Sequence, residues 1–237
     1  MKQMKRSTGF TLVEMAMVLV IVGLLIGGLV TPLSMQLEQR RVSETQKALD
    51  EAREALFGFA VRYGYLPCPA ISASNGLEDR TGSGCTNQKR VGYLPWATLG
   101  LPKLDAWNHL YRYSVTPAFT DSNPTSHFTL ATARDITVAT RDLKGALAPA
   151  TATADIPAVL ISHGKNGYGS TSDQGTTIAD AGNGNVDEKL NSSAATSFVS
   201  RGINDNPAQP GGEFDDIVVW LSPNILFNRM VAAQRLP

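Results

Sequence analysis

The chain alternates between three hydrophobic regimes. Residues 10–30 are almost unbroken apolar positions, and Glu14 and Glu38 enclose 23 consecutive uncharged residues. After Pro32 a different pattern begins. Val42, Thr45, Leu49, Ala52, Leu56, Phe59 and Tyr63 step by three and four, which predicts an amphipathic helix, while Glu44, Lys47, Glu51 and Glu54 lie off that stripe. Gly64 stands at a C-cap position and Pro67 and Pro69 prevent continuation. A stripe of three heptads that includes small Ala52 suits packing beneath a sheet better than a coiled coil. If continuous, the helix from 10 to 63 reaches about 80 Å.

Beyond residue 64 the period shortens to two. Residues 111–116, 127–133, 158–162 and 216–221 read as strands, together an antiparallel sheet. Residues 164–212 are rich in Gly, Asn, Asp, Ser and Thr, which predicts an irregular surface region. Ser222 and Pro223 set an N-cap and first helical position. Leu226, Phe227, Met230 and Val231 form the expected buried face of a short final helix.

The first apolar run is long enough for a membrane. Its 21 residues, 10–30, cover about 30 Å as a helix, the thickness of a bilayer's hydrocarbon core. Lys2, Lys5 and Arg6 precede it without an acid among the first nine residues. The positive-inside rule therefore keeps the N-terminus cytoplasmic and the following chain outside. An ordinary secretory signal has a shorter apolar core followed by small residues, whereas here the small residue, Gly9, comes before the run.

Gly9-Phe10-Thr11-Leu12-Val13-Glu14 resembles the cleavage and methylation motif of type IV prepilins and type II secretion pseudopilins. The resemblance implies that a prepilin peptidase cuts between Gly9 and Phe10, that the new amine of Phe10 is N-methylated, and that Glu14, fifth in the mature chain, serves assembly. Pro32 falls one place later than the family's usual helix proline, so the implied kink or melted turn is shifted. Asp105-Ala106-Trp107-Asn108-His109-Leu110-Tyr111-Arg112-Tyr113 is similar to the Asp-x-Trp-Gly-x-x-Tyr-x-Tyr stretch of major pseudopilins, with Asn108 replacing glycine. Residues 162–167 resemble their Ser-x-Gly-x-x-Gly loop.

The fold so implied is α+β and pilin-like. A long N-terminal helix, membrane-spanning in its first half, packs against an antiparallel sheet, with a short C-terminal helix at the end. Its parts are a leader (1–9), a transmembrane and filament-core helix (10–30), an amphipathic helical continuation (31–64) and a periplasmic globular domain (65–237). The mature length, 237 less the nine-residue leader, is larger than a typical major subunit and favours a minor one. Implied partners are the prepilin peptidase, other pilin or pseudopilin subunits and an inner-membrane assembly platform. Implied locations are the bacterial inner membrane and then a pilus or pseudopilus.

Physical chemistry supports the placing of Glu14. One turn from the helix start, it can reach the interface, where free N–H groups and a new Phe10 amine favour a carboxylate. In a filament, the Glu14 of one subunit could pair with the Phe10 amine of a neighbour, and a misregistered subunit would bury both charges unpaired.

The remaining chemistry is sparse. Cys68 and Cys85 suit a disulfide in an oxidising periplasm, closing a loop for about 3 kcal/mol. His109, His127 and His163 show no metalloprotease spacing, and no nucleophile elbow or phosphate-binding loop occurs, so no enzyme is expected. Ser162 beside His163 imitates half a catalytic pair, but the glycines around them suit turns. Asp173, Asp180, Asn183, Asn185, Asp187, Glu188, Asp215 and Asp216 offer hard oxygens for calcium, yet without the EF-hand pattern. The expectation is a chain without a cofactor, calcium being the alternative. Net charge is zero, 21 basic against 21 acidic residues, so no whole-chain argument points to nucleic acid. The competing functional class is a membrane-anchored binding module, for calcium or a glycan, that never polymerises.

Overall fold

In the computed structural model, residues 9–236 are described, and within the first helix the side chains at 26 and 28–32 fall outside that description. The leader positions 1–8, including Lys2, Lys5 and Arg6, also lie outside it. Two compact units emerge, Met1–Arg41 and Val42–Pro237.

Helix α1 (Leu12–Tyr63) is helical without interruption across position 32, so no melted turn occurs there. In the first unit the described large apolar side chains are exposed, from Leu12 at 87% to Leu37 at 50%. Among the described residues no helix is long and apolar enough to cross a membrane. The expected span of 10–30 includes four side chains outside the description.

The second unit begins with the last turns of α1. Thr45, Leu49, Ala52 and Leu56 are buried as the stripe predicts, but Phe57 and Ala60 replace Phe59 and Tyr63 as the inward residues further on. A spacing of seven per two turns drifts about 20° per heptad against the 3.6-residue helix, so the inward face moves off the expected stripe. Gly64 ends the helix at φ +89°, its N–H donating to Ala60 O at 2.7 Å.

A small hairpin follows, β1 (Arg80–Thr81) and β2 (Gly84–Cys85), then β3 (Val91–Tyr93), a single helical turn α2 (Trp96–Leu99), and β4 (Arg112–Val115). Next come β5 (Thr137–Arg141), β6 (Leu147–Pro149), β7 (Ala158–Ser162), α3 (Val186–Ser193), β8 (Ser197–Val199), β9 (Ile217–Trp220) and α4 (Pro223–Ala232). The main sheet is antiparallel with order β3-β4-β7-β9, and a second sheet has order β6-β5-β8. The β5–β8 pair is parallel, which corrects the expectation of an antiparallel sheet throughout.

Register explains the two cores. Tyr113 pairs with Leu160 and Leu160 with Val219, so these three share a face, and they cluster with Leu49, Leu56 and Phe57 of α1 and with Leu226, Met230 and Leu236. Val159, Ile161 and Val218 face the opposite side and cluster with Ile136, Val138 and Phe198. Covered on both faces, β7 is buried along its whole length, which is why it reads as a continuous apolar run rather than an alternation.

Three further expectations are corrected. Residues 127–133 form no strand, because Thr129 and Thr132 close a turn through Thr129 N–H to Thr132 Oγ1 at 2.8 Å and Thr132 N–H to Thr129 O at 3.0 Å. Residues 164–212 are not uniformly irregular: they contain α3 and β8, with Asp187, Glu188 and Asn191 of α3 buried. In α4, Leu226 and Met230 are buried, but Phe227 is half-buried and Val231 is exposed, since a ten-residue helix covers only one face.

Candidate functional site

The N-terminal residues come first. Gly9 and Phe10 are non-helical and Phe10 is 80% exposed. Thr11 precedes the helix and Glu14 is its third residue, the arrangement of a capping box. Thr11 N–H and Thr11 Oγ1 both donate to Glu14 Oε2 at 2.8 Å, and Glu14 N–H donates to Thr11 Oγ1 at 3.3 Å. Glu14 Oε1 accepts no bond among the described residues. This partnership with Thr11 lies outside the charge pairing expected of Glu14, and its sequence signal is Thr-x-x-Glu ahead of an apolar run.

Cys68 and Cys85 are joined, with Cα atoms 5.4 Å apart. Cys68 is buried and its N–H donates to Glu78 Oε2 at 3.0 Å. Arg80 Nη2 lies 3.0 Å from the same oxygen, and the guanidinium stacks 4.5 Å from the Tyr65 ring centroid. The bridge thus fastens the β1–β2 hairpin to the chain leaving α1.

A second constellation surrounds the loop after β7. One carboxylate oxygen each from Glu188, Asp215 and Asp216 lie within 4.8 Å of one another. Glu188 Oε1 accepts from Asn166 Nδ2 at 2.9 Å and Asp215 N–H at 2.8 Å, and its Oε2 from Asn185 Nδ2 at 3.3 Å. Asp216 Oδ1 lies 3.3 Å from His163 Nδ1, and its Oδ2 accepts from Asn191 Nδ2 at 2.8 Å. Asp215 Oδ2 accepts from Asn166 N–H at 2.8 Å, whereas its Oδ1 is buried without a partner. Burial raises the Asp215 carboxyl, and the nearby Glu188 and Asp216 charges push it further, up to about 8. Burial raises Glu188 as well, with Asp216 adding to it.

The other candidate oxygen ligands are elsewhere or already matched. Asp187 is buried between Arg141 at 2.6 Å and Arg201 at 2.9 Å. Asp173 pairs with Lys103, and Asp180 and Asn183 flank Lys189 at 3.8 and 3.3 Å. Asn185 joins the cluster through Glu188. Calcium takes six to eight oxygens, and here most carboxylate oxygens already hold protein donors, leaving Asp215 Oδ1.

Ser162 and His163 do not form a nucleophile–base pair. Ser162 Oγ donates to Asp105 Oδ2 at 2.6 Å while His163 faces Asp216. Asp105 Oδ1 in turn accepts the N–H groups of Trp107 and His109, both at 2.9 Å, so this carboxylate shapes the turn before β4. Asn108 adopts φ +65° in that turn, the left-handed region a glycine would take, and Asn tolerates it better than most side chains. Gly164, Gly167 and Gly169 are also left-handed, as turn glycines.

Residues 4–30 match the family described as the prokaryotic N-terminal methylation motif. The chain therefore carries the signature of type IV pilins and pseudopilins, and that signature implies processing by prepilin peptidase and assembly with other pilin subunits. No curated protein and no solved structure matches the chain.

Proposed function

We propose that this chain is a structural subunit, a minor pilin or pseudopilin, of a type IV pilus or type II secretion pseudopilus. It enters the inner membrane through residues 10–30 with its N-terminus cytoplasmic and its globular unit periplasmic. Prepilin peptidase cuts between Gly9 and Phe10, the Phe10 amine is methylated, and an assembly platform draws the chain into a filament through α1. The observation that carries this reading is the row of exposed apolar side chains on α1 from Leu12 to Leu25, which lies inside the methylation motif and is joined further on by Leu33, Met35 and Leu37. Large apolar side chains left open along a helix call for lipid or other helices around them.

Glu14 then has two tasks on two oxygens. Oε2 caps its own helix through Thr11, and Oε1 is left for the Phe10 amine of the next subunit. Charge reversal, Glu14→Lys, tests the proposal: loss of filament incorporation with unchanged membrane insertion is expected, and normal incorporation contradicts it.

One observation favours a second reading, a membrane-anchored calcium-binding module. Asp215 Oδ1 is an unpartnered carboxylate oxygen inside a three-carboxylate cluster. Calorimetric titration of calcium into the full chain in detergent micelles tests it, and the absence of both heat and thermal shift removes it.

A further inference from the structure

A cleft of about 430 Å³ lies at the β3–β4 end of the main sheet. Tyr93 pairs with Arg112, so both project to the same face, opposite to that of Tyr113 in the helix-side core. They line the cleft together with the 169–171 segment and Ser192 of α3. Its size is that of an ordinary small-molecule site, about 300 to 1,000 Å³.

The lining carries positive charge without a counterion. Lys89 and Arg112 both line the cleft, no Asp or Glu does, and neither cation has an ion-pair partner among the described residues. Arg112 Nη2 is pinned by Ala194 O at 2.8 Å, while its Nε is buried and has no acceptor. Burial draws the Arg112 guanidinium below its ordinary pKa, opposed by Asp216 behind it. A buried charged donor without an acceptor is costly, so an anionic acceptor is the group this cleft lacks.

The rest of the lining mixes hydroxyls with apolar side chains, Ala70, Ile71, Val91 and Leu110, and with His163, which is turned to Asp216. Ser170 is 2% exposed and its Oγ has no partner. Tyr93 Oη donates to Thr171 Oγ1 at 3.2 Å, and Thr177 and Ser192 add two more hydroxyls. Hydroxyls donate and accept, as a polyol requires. A phosphate dianion mainly accepts at such hydroxyls, whereas a sugar both donates and accepts.

We propose that this cleft binds a carboxylate-bearing sugar, a uronate either free or at the end of a polysaccharide. Its carboxylate meets Arg112 and Lys89, and its hydroxyls meet Ser170 and Thr171. The assignment holds whether or not the chain polymerises, since the cleft lies wholly within the second unit.

Calorimetry on the full chain in detergent micelles tests this with galacturonate, trigalacturonate, galactose and inorganic phosphate. Saturable heat with galacturonate or trigalacturonate, and none with galactose or phosphate, is the expected result. A preference for the trimer identifies a polysaccharide source and a preference for the monomer a free sugar. Lys89→Glu should weaken the uronate by about tenfold or more, the worth of one charge-assisted hydrogen bond, and Ser170→Ala by about threefold to tenfold, the worth of a neutral one. Both variants should keep the thermal midpoint, because the first is at an exposed position and the second removes an unpartnered hydroxyl. No heat with either uronate, equal heat with galactose or phosphate, or unchanged affinity in both variants overturns the proposal.

Discussion

Thr11 and Glu14 hold each other at the head of α1, the threonine N–H and hydroxyl both donating to one glutamate oxygen and the glutamate N–H returning to the threonine. A glutamine at position 14 can keep this cap without its charge. Glu14→Gln is therefore expected to insert and be cleaved as the native chain is, yet to be lost from filaments. Thr11→Ala, which retains the charge but loosens the first turn, should enter filaments at reduced yield. Quantifying each variant in sheared filaments against membranes checks both, and equal incorporation of Glu14→Gln refutes the charge pairing.

Cleavage can be separated from folding at Gly9. A Cβ added there meets nothing within 4 Å, and the backbone is not left-handed. Gly9→Val should thus fold normally and remain uncut. Mass spectrometry should find native chains beginning at N-methylated Phe10 and the variant keeping residues 1–9. A native chain beginning at Met1, or inside the apolar run, contradicts the assignment.

Breaking the Cys68–Cys85 bridge releases a closed loop with a sequence separation of 17. The chain-entropy estimate for such a loop is about 3 kcal/mol. Cys85→Ser should lower the midpoint of denaturant unfolding accordingly, and reductant should lower that of the native chain but not of the variant.

Asp215 should make the second unit weaker in alkali. Its carboxyl is raised from 3.8 to about 8 in the folded chain, chiefly by burial. Below pH 4 both folded and unfolded states hold the proton and the contribution is complete. Between pH 4 and about 8 only the folded state holds it, so stability falls as pH rises, levelling off above 8. Asp215→Asn should flatten that slope in thermal melts. Should calcium bind, its stabilisation would grow over the same interval, because the cation and the proton compete for one oxygen.

What could be read from sequence follows from period and from local chemistry. The α1 stripe, β4, β7, β9 and the Ser222-Pro223 start of α4 each declare themselves within a few residues, and so do the methylation motif and the cysteine pair. Residues 127–133 alternate like a strand, but Thr129 and Thr132 satisfy one another and Phe128 alone anchors the segment in the core. In 164–212 the polar residues look solvated, whereas Asn191 is fully buried and mimics a strand neighbour: it accepts Val199 N–H at 2.7 Å and donates to Val199 O at 2.9 Å. The parallel β5–β8 pairing joins residues some 60 positions apart, and no local pattern encodes it. The acid cluster was present in the expected oxygen ligands, but only the fold separates its three members from Asp173, Asp180 and Asp187.

The helix-side core has a temporal consequence. It joins Leu49, Leu56 and Phe57 to Leu226, Met230 and Leu236, and Arg235 Nε reaches back to Val61 O at 2.9 Å. A polypeptide threaded outward from its N-terminal end would deliver the early half of this core long before the late half arrives. Were the second unit exported as proposed, its early half would wait, open to proteases, until Leu226, Met230 and Leu236 had crossed as well.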